Sequence, residues 1–134
     1  MNKESVEKWI AQGPNPDLLK MTEQLGKDLG AGKEDKKKLS TSQIRQVFTK
    51  LKAIEAKGYS QPNQRLEFMM LKPFLAYAQG RDKGNSALEL FKKTITWGID
   101  AVLEGKGEFE EQRFYHFCKL FEAVLAYHKA FGGK

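Results

Sequence analysis

Apolar residues recur every three or four positions along almost the whole of this 134-residue chain, and glycines and prolines cut the pattern into stretches. That period sets apolar side chains on one face of an α-helix, and the strict alternation of a half-buried strand is absent. An all-α fold follows, a compact bundle of about five or six helices with short loops. A chain of this length buries a useful core without disulfides or metal and fits one domain over 1–134. Nine phenylalanines make that core aromatic-rich.

The first stretch carries Val6, Trp9 and Ile10 and stops at Gly13-Pro14-Asn15-Pro16, which cannot continue a helix. The second opens at Pro16 and Asp17, carries Leu18, Met21, Leu25 and Leu29, and closes at Gly30. The charged run over 33–38 reads as a loop. Ser40 and Gln43 form a capping box, with Leu39 as staple, for a third helix with Ile44, Val47, Phe48, Leu51 and Ile54 on one face and Gly58 as its stop. Pro62 opens a fourth helix that is apolar on two faces. Leu66, Met69, Met70 and Tyr77 line one; Phe68, Leu71 and Leu75 line the other. Pro73 is expected to kink this helix and Gly80 to end it. Asn85 or Ser86 caps a fifth helix with Leu88, Phe91, Ile95, Ile99 and Val102 inward and Trp97 on the other side. The sixth runs from Glu108 to Ala130, with Phe114, Phe117, Phe121, Val124, Leu125 and His128 on a broad apolar face.

Residues for a reaction centre are scarce. His116 and His128 are twelve positions apart on one helix, a rotation of about 120°, so they cannot share a metal. His128 falls on the apolar stripe and reads as an interior histidine; His116 lies at its edge and reads as exposed. Cys118 stands alone, so no intrachain disulfide forms, and its neighbours point to a buried structural thiol. Glu108, Glu110 and Glu111 bunch at a helix start, where the dipole favours them. No zinc spacing and no phosphate loop is present. The expectation is a protein that is not an enzyme and takes no cofactor and no metal. No stretch is long and apolar enough for a signal peptide or a membrane span, so a cytoplasmic protein is expected.

Charge is the remaining signal. Lys and Arg total 23 against 17 Asp and Glu, for a net +6 and a pI near 9.4. Arg45 and Lys52 lie seven residues apart on the third helix, and Arg65 and Lys72 lie seven apart on the fourth. Seven residues make about two turns, so each pair projects from one face about 10 Å apart, a ladder fit to follow a phosphate backbone. Gln79 continues the second line and Arg81 follows its end. Lys50 and Lys57 lie on the opposite flank of the third helix. Tyr77 offers a ring for a base but lies on an apolar stripe, and the core is its expected place.

The stretches LSTSQIRQVFTKLKAI, LKPFLAYAQGR and FEAVLAYHKAFGGK, in this order, resemble the small subunit of the type III-A CRISPR effector complex. The resemblance covers most of residues 39–134; residues 1–38 lie outside it. It implies a non-catalytic helical bundle that lines the guide–target RNA duplex in several copies, contacting backbone more than bases in antiviral defence. Partners would be guide RNA, target RNA, other subunits of the complex and further copies of itself, with no membrane. By matching position Arg45, Lys72 and Arg81 become candidate RNA contacts, and helix geometry adds Lys52 and Arg65. A subunit stacked on neighbours also needs an exposed apolar face, expected at Phe68, Leu75 and Trp97. Two alternatives stay open: a small subunit of another CRISPR subtype, and a helical protein-interaction adaptor without nucleic acid.

Overall fold

The computed structural model describes residues 1–30 and 41–131. Among them are seven helices and no strand: α1 (Lys3–Gln12), α2 (Pro16–Gly30), α3 (Thr41–Lys57), α4 (Gln64–Met69), α5 (Leu71–Arg81), α6 (Ser86–Glu104) and α7 (Gly107–Ala130). All six expected helices are present, the fourth in two pieces. The capping box expected from Ser40 rests, like the Leu39 staple and the charged run 33–38, on residues outside those described.

Local chemistry accounts for the boundaries. Asn2 caps α1: its Oδ1 accepts the Ser5 N–H at 2.8 Å, while Ser5 Oγ accepts the Asn2 N–H at 3.0 Å. Asn85 caps α6 by accepting the Leu88 N–H at 3.0 Å. Gly58 ends α3 with φ +99°, a conformation that side chains strain to adopt. Pro73 is the third residue of α5. It has no N–H for the Met69 carbonyl four positions back, and its ring crowds that carbonyl, so the helical run breaks at Met70. The expected kink is thus a division into α4 and α5. Pro62 falls in the turn before α4 rather than at its start. Asn63 follows with φ 70°, and the backbone turns through Gln64 N–H to Gln61 carbonyl, 3.1 Å.

The packing has two layers of different character. Helices α1, α2, α6 and α7 form the denser one. Gly26 of α2 sits so close to α7 that a Cβ there would run into Tyr127 Cβ and approach the His128 nitrogen to 2.8 Å. Gly98 of α6 accepts the Phe117 ring in the same way, at 2.8 Å from an added Cβ. Trp9 is buried at the junction of α1 and α7, and its Nε1–H donates to the His116 carbonyl at 2.8 Å. His116 Nδ1 lies 2.7 Å from the Ile10 carbonyl, so the ring clasps α1 in return and is half-buried, not exposed as expected.

Helices α3, α4 and α5 form the second layer. Phe68 of α4 inserts between Phe114 and Phe117 of α7, edge-on at 5.2 and 5.0 Å between centroids, and Tyr59 stacks on Phe114 at 4.6 Å. Phe48 of α3 stacks on Phe121 at 5.8 Å. The stripe of Phe68, Leu71 and Leu75 is therefore core. The other stripe faces outward: Leu66 is 54%, Met70 52% and Tyr77 65% exposed. This corrects two expectations. Tyr77 is not a core residue, and the exposed apolar face is built from Leu66, Met70 and Tyr77 rather than Phe68 and Leu75. Trp97 is partly covered, with Lys93 over its ring at 5.4 Å. Met21 of α2 is also exposed, whereas Cys118 and His128 are buried as expected. Burial pushes the Cys118 thiol well above the usual range, so it stays protonated.

Candidate nucleic-acid interface

The five cations expected to contact RNA lie on three helices and are not brought into contact with one another. The Lys52 ammonium meets Glu55, one turn on along α3, at 2.8 Å and reaches Glu122 of α7 at 3.5 Å. The hydrogen bond to Glu55 holds its pKa above the usual lysine value. Arg65 turns to the first turn of α7 and donates from Nε to Glu110 at 2.7 Å. Lys72 turns to α6 and meets Asp100 at 2.7 Å. Glu110 and Glu122 are twelve residues apart on α7, about 18 Å along its axis, so the ladders point at separate places. Arg45 is exposed on α3 with no ion pair among the described residues, and Arg81 lies over the Tyr77 ring at 5.8 Å.

The three ion pairs differ in kind. Lys52 and Lys72 keep 43% and 40% of their side chains in water, and pairs of that type stabilise a fold by about 0–1 kcal/mol. A phosphate can replace either carboxylate at little cost. Glu110 is only 8% exposed and is held twice, by Arg65 and by the Tyr59 hydroxyl, which donates to it at 2.7 Å. Burial and that hydrogen bond push the Tyr59 hydroxyl well above its usual range, so it remains a donor. The bond to Glu110 likewise raises the Arg65 pKa. Arg65 thus fastens α4 to α7, and Glu110 does more than balance a helix dipole. Neither Tyr59 nor its link to Glu110, 51 positions away, is visible in the sequence.

A second arrangement of cations does converge. Helices α3 and α5 splay apart above α4 and leave a groove of 810 Å³, lined on one side by Lys50 and Lys57 and on the other by Met70, Phe74 and Tyr77. Lys50 reaches across to lie 5.0 Å from the Phe74 ring centre. The signal for it was present in the sequence as Lys50 and Lys57 at a spacing of seven and Phe74, Tyr77 and Arg81 at i, i+3 and i+7. What the sequence lacked was which apolar face of residues 64–81 points inward.

Fold and surface together define a class: a small, basic, all-α protein with no cluster of His, Cys, Asp or Glu fit to hold a metal among its described residues. The family model described as Csm2 Type III-A matches residues 15–134. The chain therefore belongs to that family, and with it to the small subunits of the multi-subunit type III-A CRISPR effector complex. The match takes in α2 and reaches further toward the N-terminus than the resemblance over 39–134. No curated protein and no solved structure matched the chain. Among the described residues no helix is long and apolar enough to cross a membrane.

Proposed function

We propose that this chain is the non-catalytic RNA-binding small subunit of its type III-A complex, working in the cytoplasm. It lines the guide–target duplex through contacts to the RNA backbone and lies beside further copies of itself. The observation that carries the reading is the state of the surface cations. Arg45 and Arg81 have no carboxylate partner among the described residues, and Lys52 and Lys72 hold theirs in half-exposed, exchangeable pairs. Backbone neutralisation needs such cations and no base-edge readout. In an RNA-guided machine, pairing reads sequence and protein reads backbone and shape. Arg45, Lys72 and Arg81 are the foremost contacts and Lys52 supports them. Arg65 acts first through Glu110, and its Nη1 donates to Met69 Sδ.

Filter-binding titrations of single-stranded RNA across a salt series test this. Log affinity should fall linearly with log salt, by about 0.7 for each phosphate neutralised. Arg45→Ala or Lys72→Ala should weaken all RNA sequences alike and flatten the slope by about one such step. Affinity that ignores salt, or no binding at high protein concentration, would leave the adaptor reading, to which the exposed Leu66, Met70 and Tyr77 also lend themselves.

A further inference from the structure

We propose that the groove between α3 and α5 seats unpaired nucleotides of RNA, with bases stacked on Tyr77 and Phe74 and phosphates held by Lys50, Lys57 and Arg81. The inference rests on the RNA-binding reading above and deepens it, since backbone contacts alone do not distinguish paired from unpaired strands.

Two stripes face each other across the groove. On α3, Lys50 and Lys57 stand two turns apart; on α5, Phe74 and Tyr77 line it, and Arg81, one turn further along the same helix face, lies outside the lining but over the Tyr77 ring. None of the three cations has an ion pair among the described residues, unlike Lys52, Arg65 and Lys72. Lys50 and Arg81 rest on aromatic rings instead, at 5.0 and 5.8 Å from the centroids. A ring is a weaker partner for a cation in water than a phosphate, so these contacts keep Lys50 in the groove and Arg81 beside its Tyr77 wall without committing them. Glu67 is the one acidic residue on the lining, so the groove favours an anion. Its volume of 810 Å³ falls within the roughly 300–1,000 Å³ of ligand clefts.

The occupant must offer negative charge and flat apolar faces together. Unpaired RNA does so; a duplex keeps its base faces inside the stack. Tyr77, 65% exposed, has the accessibility a stacking platform requires. This assigns the chain a preference for the places where a guide or target strand leaves the helix, such as an overhang or an extruded nucleotide.

The test uses the full chain and two probes at one fixed salt concentration: a single-stranded oligoribonucleotide carrying 2-aminopurine and the same strand in a blunt duplex. With wild-type protein the single strand should bind more tightly and its fluorescence should be quenched on binding. Tyr77→Ala should weaken single-strand binding by about 5- to 150-fold, the range of one lost base stack, and remove most of the quenching. It should leave duplex affinity and the single-strand salt slope unchanged. Tyr77→Phe should behave as wild type. Melting curves for both variants confirm the fold, which an exposed side chain does not support. If Tyr77→Ala binds both probes as wild type does, stacking is overturned and the backbone reading stands. If Tyr77→Ala leaves RNA binding intact but releases the chain from its effector complex, the groove is a protein contact and the inference fails. Absence of binding to either probe by wild-type protein would sink both readings together.

Discussion

The layer of α1, α2, α6 and α7 and the layer of α3, α4 and α5 are built on different principles. In the first, helices approach until glycine is required, at Gly26 against α7 and Gly98 against Phe117. In the second, an aromatic wedge at Phe68 does the apolar work, and Lys52–Glu122, Arg65–Glu110 and Lys72–Asp100 fasten the edges. Close apolar packing leaves a helix few conformational options, whereas the half-exposed pairs of Lys52 and Lys72, unlike the pair of Arg65 with buried Glu110, hold a helix in place at small energy and can be exchanged. The first layer is suited to rigidity. The second places its cations and its groove where a polyanion can reach them.

That contrast can be broken where it is steepest. Gly26→Ala drives a methyl into the α7 backbone, which has no flexible side chain to give way. It should destabilise the protein by about 3 kcal/mol and lower Tm by on the order of 10 °C, measured by thermal unfolding. An effect near zero would mean that α2 and α7 are not locked as described. A smaller effect is expected at the hinge between layers. Tyr59→Phe removes the hydroxyl that Glu110 accepts from and should cost about 1–2 kcal/mol. It also carries a pH signature. The folded protein holds the Tyr59 proton more tightly than the unfolded chain, so its contribution is whole below the unfolded value near 10.0 and declines as pH rises past it. Wild-type stability should therefore fall more steeply than that of Tyr59→Phe above about pH 10 in denaturant titrations. The smallest expected change in stability is at the surface. Asp100→Asn breaks the exposed pair with Lys72 and should shift stability by no more than about 0.5 kcal/mol. The same change should raise RNA affinity a few-fold, because Lys72 then has no carboxylate to leave. Weaker RNA binding in that variant would contradict the view of these pairs as exchangeable.

How much of this was legible in the sequence follows the same division. Val6, Trp9, Ile10, Ile44, Leu51, Phe91, Ile95, Phe114, Phe117 and Phe121 are buried where periodicity put them, because one apolar face on a helix leaves one way to pack. Residues 64–81 offered two such faces, and nothing local decides between Phe68-Leu71-Leu75 and Leu66-Met70-Tyr77. The choice was made by the hole between Phe114 and Phe117, which Phe68 fills and which belongs to a different helix. Similarly, a spacing of seven predicts that Arg65 and Lys72 share a helix face, but not that Glu110 and Asp100 wait opposite them. Pairing across helices is a property of tertiary approach. The ladders were visible for that reason, and their partners were not. The extension of the family match to residue 15, ahead of the resembling stretches, shows that α2 carries family likeness in a pattern too plain to notice as a motif.

The mutual grip of Trp9 and His116 bears on where this molecule can be cut. Helix α1 precedes the first residue of the family match, yet its indole is sealed beneath α7 and each of the two segments donates to the other's backbone. A shortened version starting at residue 15 would expose the greasy flanks of α6 and α7 that α1 shields, and would be prone to clump. Borders drawn by kinship and borders drawn by cohesion do not coincide at this end of the protein.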